Sequence, residues 1–474
     1  MNNVEMSDRP TTTMFAKKAR HAVTLLAAAA IALPPLPAHA QGGLPLIRDT
    51  EIENLLRDYT QPILKTAGLQ SHNIKIVLIN DRSFNAFVAD GKRIFINTGA
   101  LAEATTPNQI IGVLAHETGH ITGGHLSKLR QELANVQTAV LIAMLLGVAA
   151  MAASRGGGGD GGMAQAGAAT LSGAQSVAMR SLLSYQRAHE EAADRAAVKY
   201  LAATNQSAKG MYETFKRFAD NSMFSARFAD PYAQSHPMPA ERIAALSEIA
   251  RSSPIWEKKD SPELQARHDM MRAKLSGFME TAQTVARRYP MSDTSLPARY
   301  ARAISTYRHA DLRSAVAQID ALIATQPNNP YFYELKGQAL LEGARPAEAI
   351  PYLRKAAGMV HDPALIQLML GQALVATNDP KHAEEAISIL RNALAREPDA
   401  PQAYQQLAMA YGRKGDVAQA DLASAQAAFT RGDIKTAREL AARAKTRLPV
   451  GSPGWVRADD IVAAKLPSMP NQRN

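Results

Sequence analysis

The sequence predicts an α+β domain followed by an all-α solenoid of helical repeats. A chain of 474 residues is too long for a single compact core. Strand patterns over residues 74–101 precede a capped helix, which is typical of a mixed α+β domain. From about residue 297 onward, small and aromatic residues recur with a period of about 34, the length of a tetratricopeptide repeat.

The first 40 residues have the pattern of a secretory signal peptide. Lys17, Lys18 and Arg20 precede the apolar run AVTLLAAAAIALPPL, and an Ala-His-Ala sequence ends at Ala40. This order predicts export to the periplasm and cleavage after Ala40. An uncleaved membrane anchor is the alternative, although the apolar run is too short to span a bilayer comfortably.

Composition restricts both the chemistry and the partners. The chain has no cysteine, so a bound zinc ion would need histidine and carboxylate ligands. The formal charge of +10 falls to +8 without residues 1–40, which carry four basic and two acidic groups. No basic run alternates with aromatic residues, so nucleic acid is not an expected partner. Peripheral contact with an anionic membrane surface is compatible with this charge.

Residues 44–135 predict both strands and helices. The apolar run IKIVLIN (74–80) is typical of a buried strand, and FNAFVADGKRIFINTGAL (84–101) predicts a hairpin that turns at Asp90-Gly91. Thr106, Pro107 and Gln109 then form the pattern of a capping box with proline in the first turn. These signals predict a helix over roughly 107–130.

Residues 139–178 are apolar or rich in glycine. The run AVLIAMLLGVAAMAA (139–153) is followed by SRGGGGDGG (154–162) and a small-residue run up to Met179. Fifteen helical residues reach only about 22 Å, which is short of the roughly 30 Å hydrocarbon core of a bilayer. A buried helical hairpin is predicted. The alternative is a hairpin that dips into one leaflet or covers the functional site.

The sequence HETGH at 116–120 has the spacing of a metal site. His116 and His120 are four residues apart on the predicted helix, so both imidazoles project from one face and can share an ion. Glu117 lies beside them and can take a proton from a water molecule at that ion. The pattern predicts a zincin-like domain with one zinc ion per subunit.

A catalytic zinc ion needs a third protein ligand and one open position. Gly123 fits the longer pattern H-x-x-G-x-x-H, but the next histidine is His125, one residue too early. One residue turns a continuous helix by about 100°. His125 is therefore expected to face away from the ion and to be a structural histidine that forms a hydrogen bond within the fold.

A carboxylate is the other option for the third ligand. Glu132 would lie about 18 Å along the predicted helix from the histidines, and the glycine-rich segment holds only Asp160. The next candidates are Glu190 and Glu191, in a segment with helical periodicity. Glu190 could bind the ion while Asp194, one turn further, orients a ligand histidine. An exposed, charged helix face is the alternative for this segment.

The repeats are predicted from small and aromatic residues at fixed positions. Two units match best, through Gly337, Ala349, Leu353 and Ala356, and through Tyr404, Leu407, Ala408, Tyr411, Gly415, Ala420 and Ala427. Small residues let paired helices approach closely, which is why such units stack. The unit ending at Pro398 carries about three extra residues between its helices. The predicted order is a metalloprotease domain (41–255), a helical connector (256–296), tetratricopeptide repeats (297–450) and a tail (451–474).

These motifs resemble those of the HtpX and CAAX-prenyl-protease family of zinc endopeptidases. HETGH followed by EEAAD resembles the family's E-x-x-A-D pattern, and SHPMPAERI (235–243) resembles its downstream S-H-P…R-I motif. NAFVADGKRIFINTGAL resembles its edge strand and hairpin. The resemblance implies a zinc endopeptidase in which Glu190 is the third ligand. With the signal sequence and the repeats, it implies outer-membrane barrel proteins and their assembly machinery as partners.

The resemblance also implies that His236 lies beside the metal. Pro237 restricts the backbone of His236 to an extended conformation. A fourth protein ligand would close the position that water must occupy, so His236 is predicted to cap the ion at rest and to move when a client docks. Arg242 is expected nearby, where it could steady the tetrahedral oxyanion.

The resemblance thus implies a protease that degrades misassembled outer-membrane β-barrel proteins and assists correct assembly. An exposed strand, either Asn85, Ala86, Phe87 and Val88 or residues 93–97, could pair with an extended segment of an unfolded or misassembled substrate. The repeats would hold a client or an assembly complex. One alternative is a repeat-based chaperone or scaffold with little proteolysis. A weaker alternative is an integral-membrane protease, which would need long apolar spans that this chain lacks.

Overall fold

The computed structural model describes residues 45–135, 137–138, 162–224 and 231–464, and it describes no side chains for 162–182 and 222–224. The predicted signal peptide, the apolar run 139–153 and residues 154–161 lie outside the described residues. Predictions for those segments therefore stay predictions.

The N-terminal region contains the described strands. These are β1 (Leu46–Ile47), β2 (Lys75–Ile79), β3 (Ala86–Val88) and β4 (Arg93–Asn97). Helices of this region are α1 (Thr50–Thr66), α2 (Thr98–Glu103), α3 (Pro107–Thr122), α4 (Gly162–Ala203), α5 (Lys209–Phe224), α6 (Pro231–Ser235) and α7 (Ala240–Arg251). Residues 125–135 are also helical.

The four-stranded sheet has the order β1-β2-β4-β3. Strand β4 pairs in parallel with β2 and antiparallel with β3, where Phe87 lies opposite Phe95. The predicted hairpin is confirmed, and Gly91 in its turn has a φ of 75°, a left-handed conformation that glycine adopts without strain. Strand β3 is an edge strand. The proposal that residues 93–97 offer a free edge is wrong, because β4 is paired on both sides.

Helix α3 begins as the capping pattern predicts and ends earlier than predicted. The Oε1 atom of Gln109 accepts hydrogen bonds from the backbone N–H groups of Thr105 (2.7 Å) and Thr106 (3.3 Å). The helix stops at Thr122, and Gly124 has a φ of 61°. Two consecutive glycines end the helix, since Gly124 adopts the left-handed conformation that commonly follows a helix C-terminus. The predicted continuous helix over 107–130 is therefore wrong.

The core of the N-terminal region lies between the sheet and helices α1, α3 and α5. Its fully buried members include Leu56, Tyr59, Ile94, Leu114 and Phe215. Helix α3 supplies apolar residues to this core on one side and carries the HETGH histidines further along its length. The core therefore fixes the axis from which those histidines project.

Helices continue from residue 262 to residue 463. They are α8 (Pro262–Met279), α9 (Ala282–Arg288), α10 (Leu296–His309), α11 (Leu312–Thr325), α12 (Pro330–Glu342), α13 (Pro346–Met359), α14 (Ala364–Ala376), α15 (Ala383–Arg396), α16 (Pro401–Arg413), α17 (Val417–Thr430), α18 (Ile434–Lys445) and α19 (Pro453–Ala463). A short 3-10 turn, Pro380–His382, lies between α14 and α15. The predicted tail thus begins with a helix, α19, whose Ala458 and Ile461 are buried against neighbouring helices.

Helices α10 to α16 follow a regular spacing along the chain. Helices α10, α12 and α14 start at residues 296, 330 and 364, each 34 residues after the last, and α16 starts 37 residues after α14. A Cβ atom on Gly337 would lie 2.5 Å from Leu353, and one on Gly371 would lie 2.5 Å from Leu390. The two glycines, 34 residues apart, let helices pack closely at equivalent positions.

Helix α8, which lies in the predicted connector, packs into the cores of both regions. Met271 and Leu275 are buried in the N-terminal core, whereas Met270 and Ala273 are buried against α10 and its neighbours. The described residues from Ile47 onward form one compact unit. No helix among the described residues has both the length and the apolar character needed to cross a membrane.

Candidate metal centre

Four side chains from three separate segments converge on one point. His116 and His120 come from α3, Glu190 from α4, and His236 from the residue after α6. One ligand atom of each lies within 4.8 Å of all the others. Glu190 reaches the histidines because α4 packs tightly on α3, where a Cβ atom on Gly119 would lie 2.8 Å from the carbonyl oxygen of Ala193.

The distances between the ligand atoms match the edges of a zinc tetrahedron. His116 Nε2 lies 3.0 Å from His120 Nε2 and 3.3 Å from Glu190 Oε2. His120 Nε2 lies 3.5 Å from Glu190 Oε1. Ligands about 2.0–2.1 Å from a tetrahedral zinc ion lie roughly 3.3–3.4 Å from each other. A zinc ion therefore fits between these atoms.

The hydrogen bonds behind the histidines test this fit independently. His116 Nδ1 lies 2.9 Å from Asp194 Oδ1, a proximity that favours the proton on this nitrogen and leaves Nε2 to face the other clustered side chains. His120 Nδ1 lies 3.0 Å from His125 Nδ1. A proton on Nδ1 leaves Nε2 of each ring able to bind an ion, and the two Nε2 atoms lie 3.0 Å apart. Imidazole nitrogens together with a carboxylate are a donor set that zinc binds.

Charge and burial shift the pKa values at this centre in opposite directions. Burial alone would lower the pKa of His116, but hydrogen bonds to Asp194 and Glu190 outweigh it and raise the pKa to about 9. Burial lowers the pKa of His120 to about 3. Burial favours a neutral Glu190, yet His236 and the two α3 histidines hold its pKa well below the usual range. The cluster is therefore built around an ionised carboxylate.

Glu117 is buried beside the cluster with only 1% of its surface exposed. Neither carboxylate oxygen has a hydrogen-bond partner among the described residues, although His236 Nε2 lies 3.5 Å from Oε1. Burial raises the pKa of Glu117, opposed by His236 and His116. A buried carboxylate without a partner is costly to stability, which is typical of a functional group.

Arg242 has a different environment from the one expected. Its Nε and Nη2 atoms donate to the two oxygens of Asp194 at 2.7 and 2.8 Å. Its Nη1 atom contacts Glu190 Oε2 and the carbonyl oxygen of Pro237, both at 2.9 Å. The guanidinium is thus occupied on three sides and 3% exposed. This geometry supports a role in positioning Asp194 and Glu190, in place of the expected oxyanion contact. These donors hold the pKa of Asp194 at about 2 against the effect of burial.

Other candidate residues lie at varying distances from the centre. Strand β3 packs against α3, which brings the predicted substrate strand next to the metal helix. Glu191 is exposed and contacts Arg195 at 3.6 Å, so it points away from the cluster. As predicted, His125 is not one of the four clustered side chains and forms a hydrogen bond within the fold; that its partner is His120 was not predicted, because the contact depends on the turn at Gly124. The paired glycines after HETGHIT were the available signal for that turn.

The comparisons with known proteins define the class of this protein. Residues 48–250 match the family model of Peptidase family M48. This region is thus similar to that family. Together with the relatives named below, the match shows a metallopeptidase, and the cluster of three histidines and one glutamate fits a zinc ion.

Relatives of similar length carry a more specific name. The chain is 24% identical over 375 residues to the beta-barrel assembly-enhancing protease of Yersinia pestis, covering 77% of this chain and 73% of the relative. It is 22% identical over 373 residues to the beta-barrel assembly-enhancing protease of Escherichia coli (strain K12), covering 78% and 74%. The resemblance found in the sequence motifs is thereby confirmed.

Two solved structures also match part of the chain. A crystal structure of MamA is 19% identical, with a TM-score of 0.27, and covers 34% of this chain and 90% of its own. The structure titled MamA MSR-1 C2 is 19% identical, with a TM-score of 0.30, and covers 39% and 99%.

Proposed function

We propose that this chain is a periplasmic zinc endopeptidase that degrades misassembled outer-membrane β-barrel proteins and assists those that assemble correctly. The observation that carries the peptidase part is the metal centre, in which Glu117 lies unpartnered beside three metal-binding side chains. The name of the relatives supports the barrel proteins as substrates. The predicted signal peptide supports the periplasmic location.

In this proposal His116, His120 and Glu190 hold the zinc ion. The bound ion supplies a Lewis acid that polarises the scissile carbonyl and makes water a better nucleophile at neutral pH. Glu117 accepts a proton from the attacking water and passes it to the departing amine. Asp194 accepts the Nδ1–H of His116, and Arg242 holds both Asp194 and Glu190 in place.

His236 closes the site at rest in this proposal. Its Nδ1 atom lies 3.1 Å from Glu190 Oε2 and 3.4 Å from His116 Nε2, and the side chain is buried. A nitrogen at this point occupies the fourth ligand position, where water is needed. His236 therefore has to move before a substrate is cleaved. A largely closed resting site also favours the second candidate function, a repeat-based chaperone or scaffold with little proteolysis.

Substrates and partners bind to two surfaces in this proposal. The edge strand formed by Asn85, Ala86, Phe87 and Val88 pairs with an extended segment of an unfolded chain. Strand β4 occupies one side of this strand, and no described strand pairs with its other side. The helices from α10 onward form a tetratricopeptide solenoid that binds the barrel assembly machinery. The 34-residue spacing of α10, α12 and α14 supports the solenoid.

The test compares the full-length protein with Glu117→Gln on two denatured substrates, one an outer-membrane barrel protein and one an unrelated protein. We expect Glu117→Gln to keep one zinc ion per chain and to lose about 10²- to 10⁴-fold in kcat/KM, because an amide cannot act as a base. Glu191→Gln, at the exposed neighbour of Glu190, serves as the matched control and should cleave normally.

Two results would contradict the proposal in different ways. Near-normal cleavage by Glu117→Gln would refute the mechanism. Retention of barrel proteins by the inactive variant in cells is the expected sign of their being substrates. If the natural protein cleaves both denatured proteins but the inactive variant retains no barrel protein in cells, the protein is an endopeptidase and the proposed substrates are wrong.

A further inference from the structure

A second pair of histidines lies directly behind the metal centre. His125 Nδ1 lies 3.0 Å from Nδ1 of His120, on the side of that ring opposite the metal-binding Nε2. The ring of His125 stacks on the ring of His189, with centroids 4.2 Å apart and planes inclined by 12°. His125 comes from the segment after α3 and His189 from α4, next to Glu190. The pair therefore connects the two segments that carry metal-binding side chains.

The backbone fixes the position of the His125 ring. Gly124 reverses the chain with a φ of 61°, which returns His125 toward the end of α3. A Cβ atom on Gly123 would lie 2.1 Å from Nε2 of His125, so the ring occupies space that only glycine leaves open. His189 covers the ring face, and Tyr185 packs on His189 with centroids 4.1 Å apart. His125 is 7% exposed, and its orientation is fixed by these contacts.

The protonation pattern follows from the geometry of the two Nδ1 atoms. A hydrogen bond between two imidazole nitrogens needs one donor and one acceptor. If His120 is to present a lone pair at Nε2, its proton resides on Nδ1. His125 then accepts a hydrogen bond from this N–H at its own Nδ1 and carries its own proton on Nε2. A metal-binding histidine usually donates its second N–H to a carboxylate, a carbonyl oxygen or water.

We propose that His125 is a positioning residue that accepts the Nδ1–H of His120 and thereby holds its Nε2 lone pair toward the zinc ion. The inference rests on the proposed zinc site and adds a residue to it. His125 does for His120 what Asp194 does for His116, with a neutral imidazole in place of a carboxylate. The acceptor on His120 brings no further negative charge to a centre that already contains Glu190, Asp194 and Glu117.

The experiment measures zinc affinity of the full-length protein by competition with a chelator, which does not depend on proteolysis. We expect His125→Leu to weaken zinc binding about 10- to 100-fold, the range typical for loss of such a hydrogen bond. His125→Asn should stay within about 3-fold of the natural protein, because its Oδ1 atom can accept the same hydrogen bond. His72→Leu, at an exposed position, controls for the change in residue type.

A second substitution disturbs the contact between His125 and His120 without changing either histidine. Gly123→Ala places a methyl group where the His125 ring lies, so we expect a loss of zinc affinity close to that of His125→Leu. The unfolding temperature of each metal-free variant is measured alongside, and a change in affinity at unchanged unfolding temperature separates positioning from general damage to the fold.

The outcomes separate this inference from the proposed function. If the natural protein binds zinc and His125→Leu binds it equally tightly, His125 has no positioning role. Equal losses in His125→Leu and His125→Asn would mean that ring packing matters and the acceptor does not, which also overturns the inference. Absence of zinc binding by the natural protein would overturn the proposed function itself.

Discussion

The metal centre and the junction between the N-terminal region and the C-terminal helices are both built from buried polar side chains. At the junction, Lys274 of α8 contacts Asp49 at 2.7 Å and Glu51 at 3.2 Å. Tyr300 of α10 donates to Glu51 at 2.9 Å, and Thr50 donates to Glu334 of α12 at 3.0 Å. Opposite charges and matched donors there stabilise each other, with one exception: Glu334 Oε2 has no hydrogen-bond partner among the described residues.

The metal centre lacks that internal balance. Three histidines and Glu190 crowd there with ligand atoms within 4.8 Å of one another, and Glu117 has no hydrogen-bond partner among the described residues. Buried polar groups are normally satisfied, so a group that is not satisfied needs an explanation. The junction groups are explained by folding alone. The centre is explained only by an ion and a reaction, which is what distinguishes a functional cluster from a structural one.

The largest expected effect is the loss of zinc from Glu190→Ala. The substitution removes the only carboxylate among the four clustered side chains, so we expect zinc affinity to fall by more than about 100-fold and proteolysis to be lost. Glu191→Ala, one residue further on the exposed side of α4, should bind zinc normally. Metal content after dialysis measures both variants. Equal zinc content in the two would show that Glu190 is not a ligand.

The second effect concerns the junction and should leave zinc binding intact. Lys274→Met removes a buried ammonium and leaves Glu51 and Asp49 without their counter-charge. Breaking a buried pair in this way costs about 3–5 kcal/mol of unfolding free energy. Lys216→Met removes an exposed lysine from its pair with Asp220 and should have little effect. Urea denaturation checks both variants, and equal losses would contradict the importance of burial.

The parts of this molecule that depend on local patterns could be predicted from the sequence. The hairpin at Gly91, the start of α3 at Pro107 and the four-residue spacing of His116 and His120 all follow from residues close together in the chain. The three extra residues before α16 were also visible as a longer repeat. Each of these features is determined by residues that lie within one turn or one repeat of each other in the sequence.

The errors came from contacts between residues that are distant in sequence. Strand β4 is interior because β2 pairs with it from before the hairpin. The guanidinium of Arg242 is occupied because α4 brings Asp194 and Glu190 against it. The partner of His125 was not predicted because the helix was extended past Gly124, whose left-handed backbone reverses the chain. Local patterns cannot give such pairings.

A third effect should appear in the pH dependence of stability at the junction. Burial, opposed by Lys274 and reinforced by Asp49 and Glu51, raises the pKa of Glu334 to about 7 from an ordinary value of 4.5. The folded state thus binds the proton more tightly than the unfolded state. Its contribution to stability is complete below pH 4.5 and is lost as the pH rises through about 7.

The matched variant for this effect is Glu334→Gln, which keeps a neutral side chain at every pH. We expect the unfolding free energy of the natural protein to fall relative to Glu334→Gln by about 3 kcal/mol between pH 4.5 and pH 8, since one pKa unit corresponds to about 1.4 kcal/mol. Denaturation curves across this range measure the difference. A difference that stays constant with pH would contradict a protonated Glu334 in the folded protein.

The smallest effect is expected where an exposed ion pair crosses the same junction. Arg48 Nη1 contacts Glu397 Oε2 at 2.7 Å, but the Arg48 side chain is 41% exposed and also contacts Glu53. Water and salt screen such a pair, so Glu397→Gln should cost less than about 1 kcal/mol and less still at high ionic strength. The control is Glu348→Gln, which removes the exposed ion pair between Arg345 and Glu348 at the start of α13. A loss from Glu397→Gln as large as that from Lys274→Met would mean that exposed pairs hold the two regions together, and the contrast between the charge-paired junction and the metal centre would no longer rest on burial.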